Sequence, residues 1–170
     1  MVVYHSPVIS PIATAALPDI VLLLEACTAR LDGEVLDRVR ARAGDDVRFR
    51  DGYVFQHLVE GPRSVSDLAR LLGVTQQAAS KQVADLVQRR LVVKRRDPAD
   101  ARSSLVSLSA RGRRVVEAGR QARAAIADRL TAELGGPAYR TLVEHLALLS
   151  DRTDAMAALM DRRLRPEDGR

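Results

Sequence analysis

The 170-residue sequence predicts a mainly α fold with one small β-hairpin wing, and three observations carry that expectation. Apolar residues recur at helical spacing before and after a central segment. Between Ser64 and Ser109, two short helical patterns meet at a glycine and are followed by two apolar strands. The first strand ends in KRR, and the polar turn DPADAR joins it to the second. Helix, turn, helix and basic hairpin in that order make a winged helix-turn-helix, here flanked by N- and C-terminal helices.

Residues 1–17 are apolar and punctuated by Pro7 and Pro11, without a clear period, and read as an N-terminal arm. Asp19, after Pro18, opens a helix with Ile20, Leu23, Leu24, Cys27, Leu31 and Val35 on one side, and Gly44 is its expected stop. A second helix is expected from about Val47 to Glu60, with Phe49, Tyr53, Val54 and Leu58 as its buried candidates, ended by Gly61-Pro62.

The central segment then reads residue by residue. Ser64 and Asp67 have capping spacing, with Val65, Leu68, Ala69 and Leu72 facing inward. Gly73 permits a left-handed turn, and Thr75 caps the next helix. At 100° per residue, Ala79, Val83, Leu86 and Val87 fall on one side of that helix, and Gln77, Ser80, Lys81 and Ala84 on the other. The strands LVVKRR and SSLVSLS follow.

Ser109 is placed to cap a long helix running to about Leu134, which includes Val115, Gly119, Ala122, Ile126 and Leu130. Gly135-Gly136-Pro137 interrupts it, and Pro137 suits the first turn of a last helix. There Leu142, Leu146, Leu149, Met156 and Met160 form a stripe. Together these flanking helices offer more apolar stripe than a small head can cover; they can pack on each other within one subunit or across a twofold axis, and the dimer is the favoured expectation. The expected division is residues 1–17 as arm, 18–46 and 110–165 as dimerisation helices, and 47–109 as the winged helix-turn-helix, a DNA-binding domain.

Charge distribution says what such a head would touch. The chain is +5 overall, but residues 61–115 hold twelve basic against four acidic residues, +8, which leaves −3 for the remainder. Positive charge gathered on one segment is the footprint of a phosphate-binding surface. Aromatic residues make up 3% and none lies between Ser64 and Ser109, so a base-stacking platform for single strands is absent there and duplex DNA is the expected partner. Glutamine pairs bidentately with adenine and lysine with guanine, which suits Gln77 and Lys81 to base readout. An arginine at a hairpin tip suits a narrow minor groove, and Asp100 is placed to brace Arg102.

Other classes fare worse. His5, His57 and His145 are scattered, and no metal-ligand spacing, glycine-rich phosphate loop or nucleophile motif appears, so neither an enzyme nor a bound metal or cofactor is expected. The single cysteine permits no intramolecular disulfide and fits a reducing, cytoplasmic setting. No window approaches the roughly 20 apolar residues of a membrane span, and no Lys/Arg-led signal segment opens the chain.

The D-A-R run at 100–102, followed by SSLVSLSARG at 103–112, resembles the wing of the multiple-antibiotic-resistance regulator (MarR) family of bacterial transcription factors. The resemblance spans about residues 20–160 and rests on Asp100, Arg102, Leu108, Ser109 and Gly112. It implies an α-rich homodimer that binds a palindromic operator, with the second helix of the motif in the major groove and the wing in the minor groove. DNA contacts are then expected from Ser64, Thr75, Gln76, Gln77, Ser80, Lys81, Arg95, Arg96, Asp100 and Arg102. Many members are repressors that release DNA on binding a small lipophilic or phenolic effector, for which Tyr53, His57 and Arg123 are the candidate contacts. Two alternatives stand beside this reading. One is redox sensing through Cys27, although in its apolar series a cysteine behaves as a small hydrophobe. The other is a DNA-binding or protein-interaction dimer without an effector. The proline-rich arm departs from the family pattern.

Overall fold

A computed structural model describes residues 19–98 and 104–155. The expected arm, the wing residues Asp100 and Arg102, and the stripe members Met156 and Met160 lie outside the described residues.

Two long helices make the frame. Asp19 caps the first, α1 (Ile20–Ala43), by accepting from the Val21 amide at 2.8 Å, and Gly44 ends it at φ 107°. The other long helix, Ala110–Leu134, begins at Ser109, whose hydroxyl accepts from the Gly112 amide at 2.9 Å. They pack along Val35, Leu36 and Val39 on one side and Val115, Ala118, Gly119 and Ala122 on the other. Small residues on the second partner let the helix axes approach closely.

The head fills the chain between them with α2 (Asp51–Leu58), β1 (Arg63–Ser64), α3 (Val65–Leu72), α4 (Gln76–Gln88), β2 (Val92–Arg96) and β3 (Ser104–Leu108). The long C-terminal helix is thus α5, and α6 (Gly136–Arg152) packs against it. The sheet has three antiparallel strands in the order β1-β3-β2, with Arg63 opposite Val106 and Val92 opposite Leu108. The hairpin expected from the sequence is therefore β2-β3, and the two-residue β1 is an addition. It is too short to show alternation and exists because β3 offers it a free edge.

Val54, Leu68, Leu72, Leu86, Leu91, Val92 and Val106 form the innermost core. Each such side chain contributes about 1.5–3 kcal/mol on burial. Three expectations need correction. The second helix starts at Asp51 rather than near Val47, because the Asp51 carboxylate accepts from the Arg48 amide at 2.8 Å and Val47 is a buried plug in the preceding loop. Phe49 in that loop is 39% exposed, and Phe55 is the buried aromatic. Val87 is 38% exposed, since α4 ends beside it and its neighbour Leu91 takes the core position. That ending uses a left-handed turn at Arg90, φ 58°, with the Leu91 amide donating to Leu86 O at 2.9 Å.

Arg111 locks head to frame. Its guanidinium donates to Ala43 O at the end of α1 (2.7 Å) and to Arg89 O at the end of α4 (2.7 Å), and it pairs with the Asp46 carboxylate. One side chain on α5 thereby satisfies carbonyls left open at two helix ends. Next to it, Gly112 lies against the Leu91 backbone, where an added Cβ would come 2.1 Å from the carbonyl oxygen.

Gly112→Ala is therefore expected to destabilise the fold by about 1–3 kcal/mol, read from urea unfolding; an unchanged midpoint would contradict the contact. Acid sensitivity has a defined sign. The Arg111 hydrogen bond holds the Asp46 carboxyl below its ordinary 3.8, and hydrogen bonds from Ser64 and Arg70 do the same for Asp67. Lowered in the folded state, both groups stabilise above the unfolded value and cease to as pH falls through the folded one. The urea midpoint should thus hold between about pH 7 and 5 and decline below about pH 4.

Candidate nucleic-acid interface

Capping decides how α3 and α4 present themselves. The Ser64 hydroxyl accepts from the Asp67 amide at 3.0 Å and donates to the Asp67 carboxylate at 2.8 Å. Its one donor and one of its acceptor sites are thus directed into the cap. Thr75 Oγ1 accepts from the Ala78 amide at 3.1 Å and stays on the surface. Gln76 Nε2 donates to Ser66 Oγ at 3.1 Å, tying the first turn of α4 to that of α3.

Beyond the cap, Ala79, Val83 and Leu86 are buried while Gln77, Ser80, Lys81 and Ala84 are exposed on the opposite side of α4. The helix offers amide, hydroxyl and ammonium groups around a small residue, so nothing bulky keeps it from a groove floor. On β2, Val92 is buried and Lys94, Arg95 and Arg96 are exposed, so the strand carries three cations outward from the head. Asp97 follows, and Asp100 and Arg102 lie outside the described residues.

The far end of α4 is held by groups that the sequence reading missed. Arg89 donates to both oxygens of Asp51 at 2.7 and 2.8 Å, to Asp85 at 2.5 Å and to Asp46 O at 3.0 Å. Its side chain is only 10% exposed and that of Asp51 5%. Donation to the Asp51 carboxylate, then to that of Asp85, drives the guanidinium further toward its charged form. Arg89 and Arg111 belonged to the basic segment counted from the sequence, yet both are spent inside the protein. Arg63 and Arg70 likewise pair with Glu60 and Asp67 at 3.0 and 3.1 Å. Among the described residues of that segment, the outward charge resides instead in Lys81, Arg90, Lys94, Arg95, Arg96, Arg113 and Arg114.

Of the effector candidates, Tyr53 and His57 lie one turn apart on α2 and Arg123 lies on α5. Tyr53 is half-buried and edge-on to Phe49, with ring centres 6.1 Å apart. His57 is half-buried with Nε2 3.3 Å from the Gln56 amide, and Arg123 is exposed on α5. A cavity of about 580 Å³ between α2, β3 and α5 is lined by other residues, among them Leu58, Pro62, Leu108, Val116, Arg113 and Arg120. Among the described residues, no cluster of three or more His, Cys, Asp or Glu could hold a metal ion, and no helix is long and apolar enough to cross a membrane. Cys27 is exposed on α1.

This geometry has relatives. The family model described as the MarR family matches residues 46–103. No curated protein matches the chain in sequence. Among solved structures, the chain is similar to RV1404 from Mycobacterium tuberculosis, at 22% identity over 81% of this chain and 96% of that one, TM-score 0.67. It is similar to apo MarR from E. coli, at 20% identity over 79% and 98%, TM-score 0.59. It is similar too to the transcriptional repressor CouR, solved bound to a 23-mer DNA duplex, at 25% identity over 78% and 92%, TM-score 0.56. The chain is thus similar to the MarR family over residues 46–103, and the described residues share the fold of these regulators.

Proposed function

We propose that the protein is a homodimeric regulator of transcription that binds a palindromic site in duplex DNA. The observation that carries this reading is the two-sided character of α4. Its inner side is buried by Ala79, Val83 and Leu86, and its outer side presents Gln77, Ser80, Lys81 and Ala84 beside the cations of β2. In this reading α4 enters the major groove, with Gln77 and Lys81 on base edges. Thr75, Gln76, Ser80, Arg95 and Arg96 make backbone contacts, and Arg102, braced by Asp100, takes the minor groove. The likeness to a repressor solved on a DNA duplex supports the same partner.

Exposed apolar surface supports the dimer. Ile20, Val21, Leu22 and Leu23 on α1 are 48–67% exposed, and Leu142, Leu146 and Leu149 share one exposed side of α6. Covering such a surface is worth about 25 cal/mol per Å², and a second copy supplies an identical surface to cover it. The cavity beside α5 supports an effector of lipophilic or phenolic character: its floor is apolar, and Arg113 and Arg120 can meet a carboxylate.

Light scattering should give twice the 18.6 kDa chain mass, and Leu146→Asp should halve it. Selection from a random duplex pool should enrich a palindrome with half-sites about one helical turn apart. Gln77→Ala and Lys81→Ala should each relax preference at particular bases by about 1–3 kcal/mol. A monomeric wild type, no enriched sequence, or equal weakening on every sequence would count against the reading.

A further inference from the structure

The C-terminal end of α4 borders a solvent-open cavity of about 560 Å³, on which four arginines converge: Arg48, Arg89, Arg90 and Arg111. Gln88, Asp46 and Asp85 complete its lining. The carboxylates do not balance the arginines. Asp51 and Asp85 are taken by Arg89, and Asp46 by Arg111. Arg48, 61% exposed, reaches only the Asp85 oxygen that Arg89 already holds, at 3.3 Å. Arg90 makes no ion pair among the described residues.

Arg90 also sits at φ 58°, in the left-handed region where glycine is the relaxed choice. A charged residue kept in a strained backbone position, facing a cavity that already holds surplus positive charge, points to use of its side chain. Planar guanidinium groups meet tetrahedral oxyanions through paired N–H donors, and the Gln88 amide adds another.

We propose that this cavity is a phosphate-binding site in which Arg48, Gln88 and Arg90 hold the oxygens. The phosphate can belong to the backbone of bound duplex DNA, which rests on the function proposed above, or to a free phosphorylated molecule. The second source would place a regulatory anion against the arginines that fix α4.

Arg90→Gly and Arg48→Gln test it. Glycine is favoured at the first position and the second side chain is exposed, so both variants are expected to fold. Inorganic pyrophosphate is titrated calorimetrically into the full chain at low salt. The affinity for a random-sequence duplex is measured across salt concentrations. The wild type should bind pyrophosphate about tenfold more tightly than either variant. A salt slope reduced by about one in each variant assigns the site to the DNA backbone, whether or not pyrophosphate discriminates. Unchanged slopes with weakened pyrophosphate binding assign it to a free phosphorylated molecule. If both variants match the wild type in pyrophosphate affinity and in slope, the proposal is overturned. Should no duplex be bound at all, the pyrophosphate titration alone decides, and the DNA-binding function fails separately.

Discussion

The ion pair between Asp51 and Arg89 is the constraint on which the rest of the head depends. Both side chains are almost wholly removed from water, and a charge in that position is tolerated only when paired and hydrogen-bonded. The geometry meets that demand: two parallel contacts join guanidinium and carboxylate, Asp85 takes a further N–H, and the Arg48 amide occupies Asp51 from behind. Because Asp51 opens α2 and Arg89 closes α4, the pair fixes where the outward-facing helix ends. Arg111 repeats the logic one layer further out, joining the ends of α1 and α4 from the first turn of α5. These two arginines fix the bearing of the outward α4 surface without entering it.

Division of labour among the basic residues follows. Charge counted along the chain treats every arginine in the head alike, but the fold sorts them. Arg89 and Arg111 are inward clasps. Arg63 and Arg70 neutralise neighbouring acids. Lys81, Arg90, the Lys94–Arg96 run, Arg113 and Arg114 face solvent. The surface that remains is narrower than the +8 segment implied, and it lies on the outer side and C-terminal end of α4, along β2 and at the start of α5.

What the sequence made legible is what local chemistry determines. Asp19, Ser64, Thr75 and Ser109 all cap the helices assigned to them, because an N-cap needs only its own amides two or three residues on. Gly73 takes the left-handed turn at φ 65°. What escaped depends on groups distant in sequence. Asp51 and Arg89 are 38 residues apart, and Arg111 lies 68 from Ala43. β1 exists only because β3 is there to pair with it. The Ser64–Asp67 cap was readable from its spacing; the bond from the Ser64 hydroxyl back to the Asp67 carboxylate was not. The clasp had one readable sign: an acid at the first turn of α2 with an arginine at the close of α4.

A double-mutant cycle on Asp51 and Arg89 tests this account most directly, with Asp51→Asn, Arg89→Gln and the pair compared by urea unfolding. Each single change leaves a buried charge without its partner and should cost about 3–5 kcal/mol. The double variant should lose less than the sum, by about 1–3 kcal/mol of coupling. Additive losses would mean that the two side chains stabilise the head independently, and that the bearing of α4 is set elsewhere.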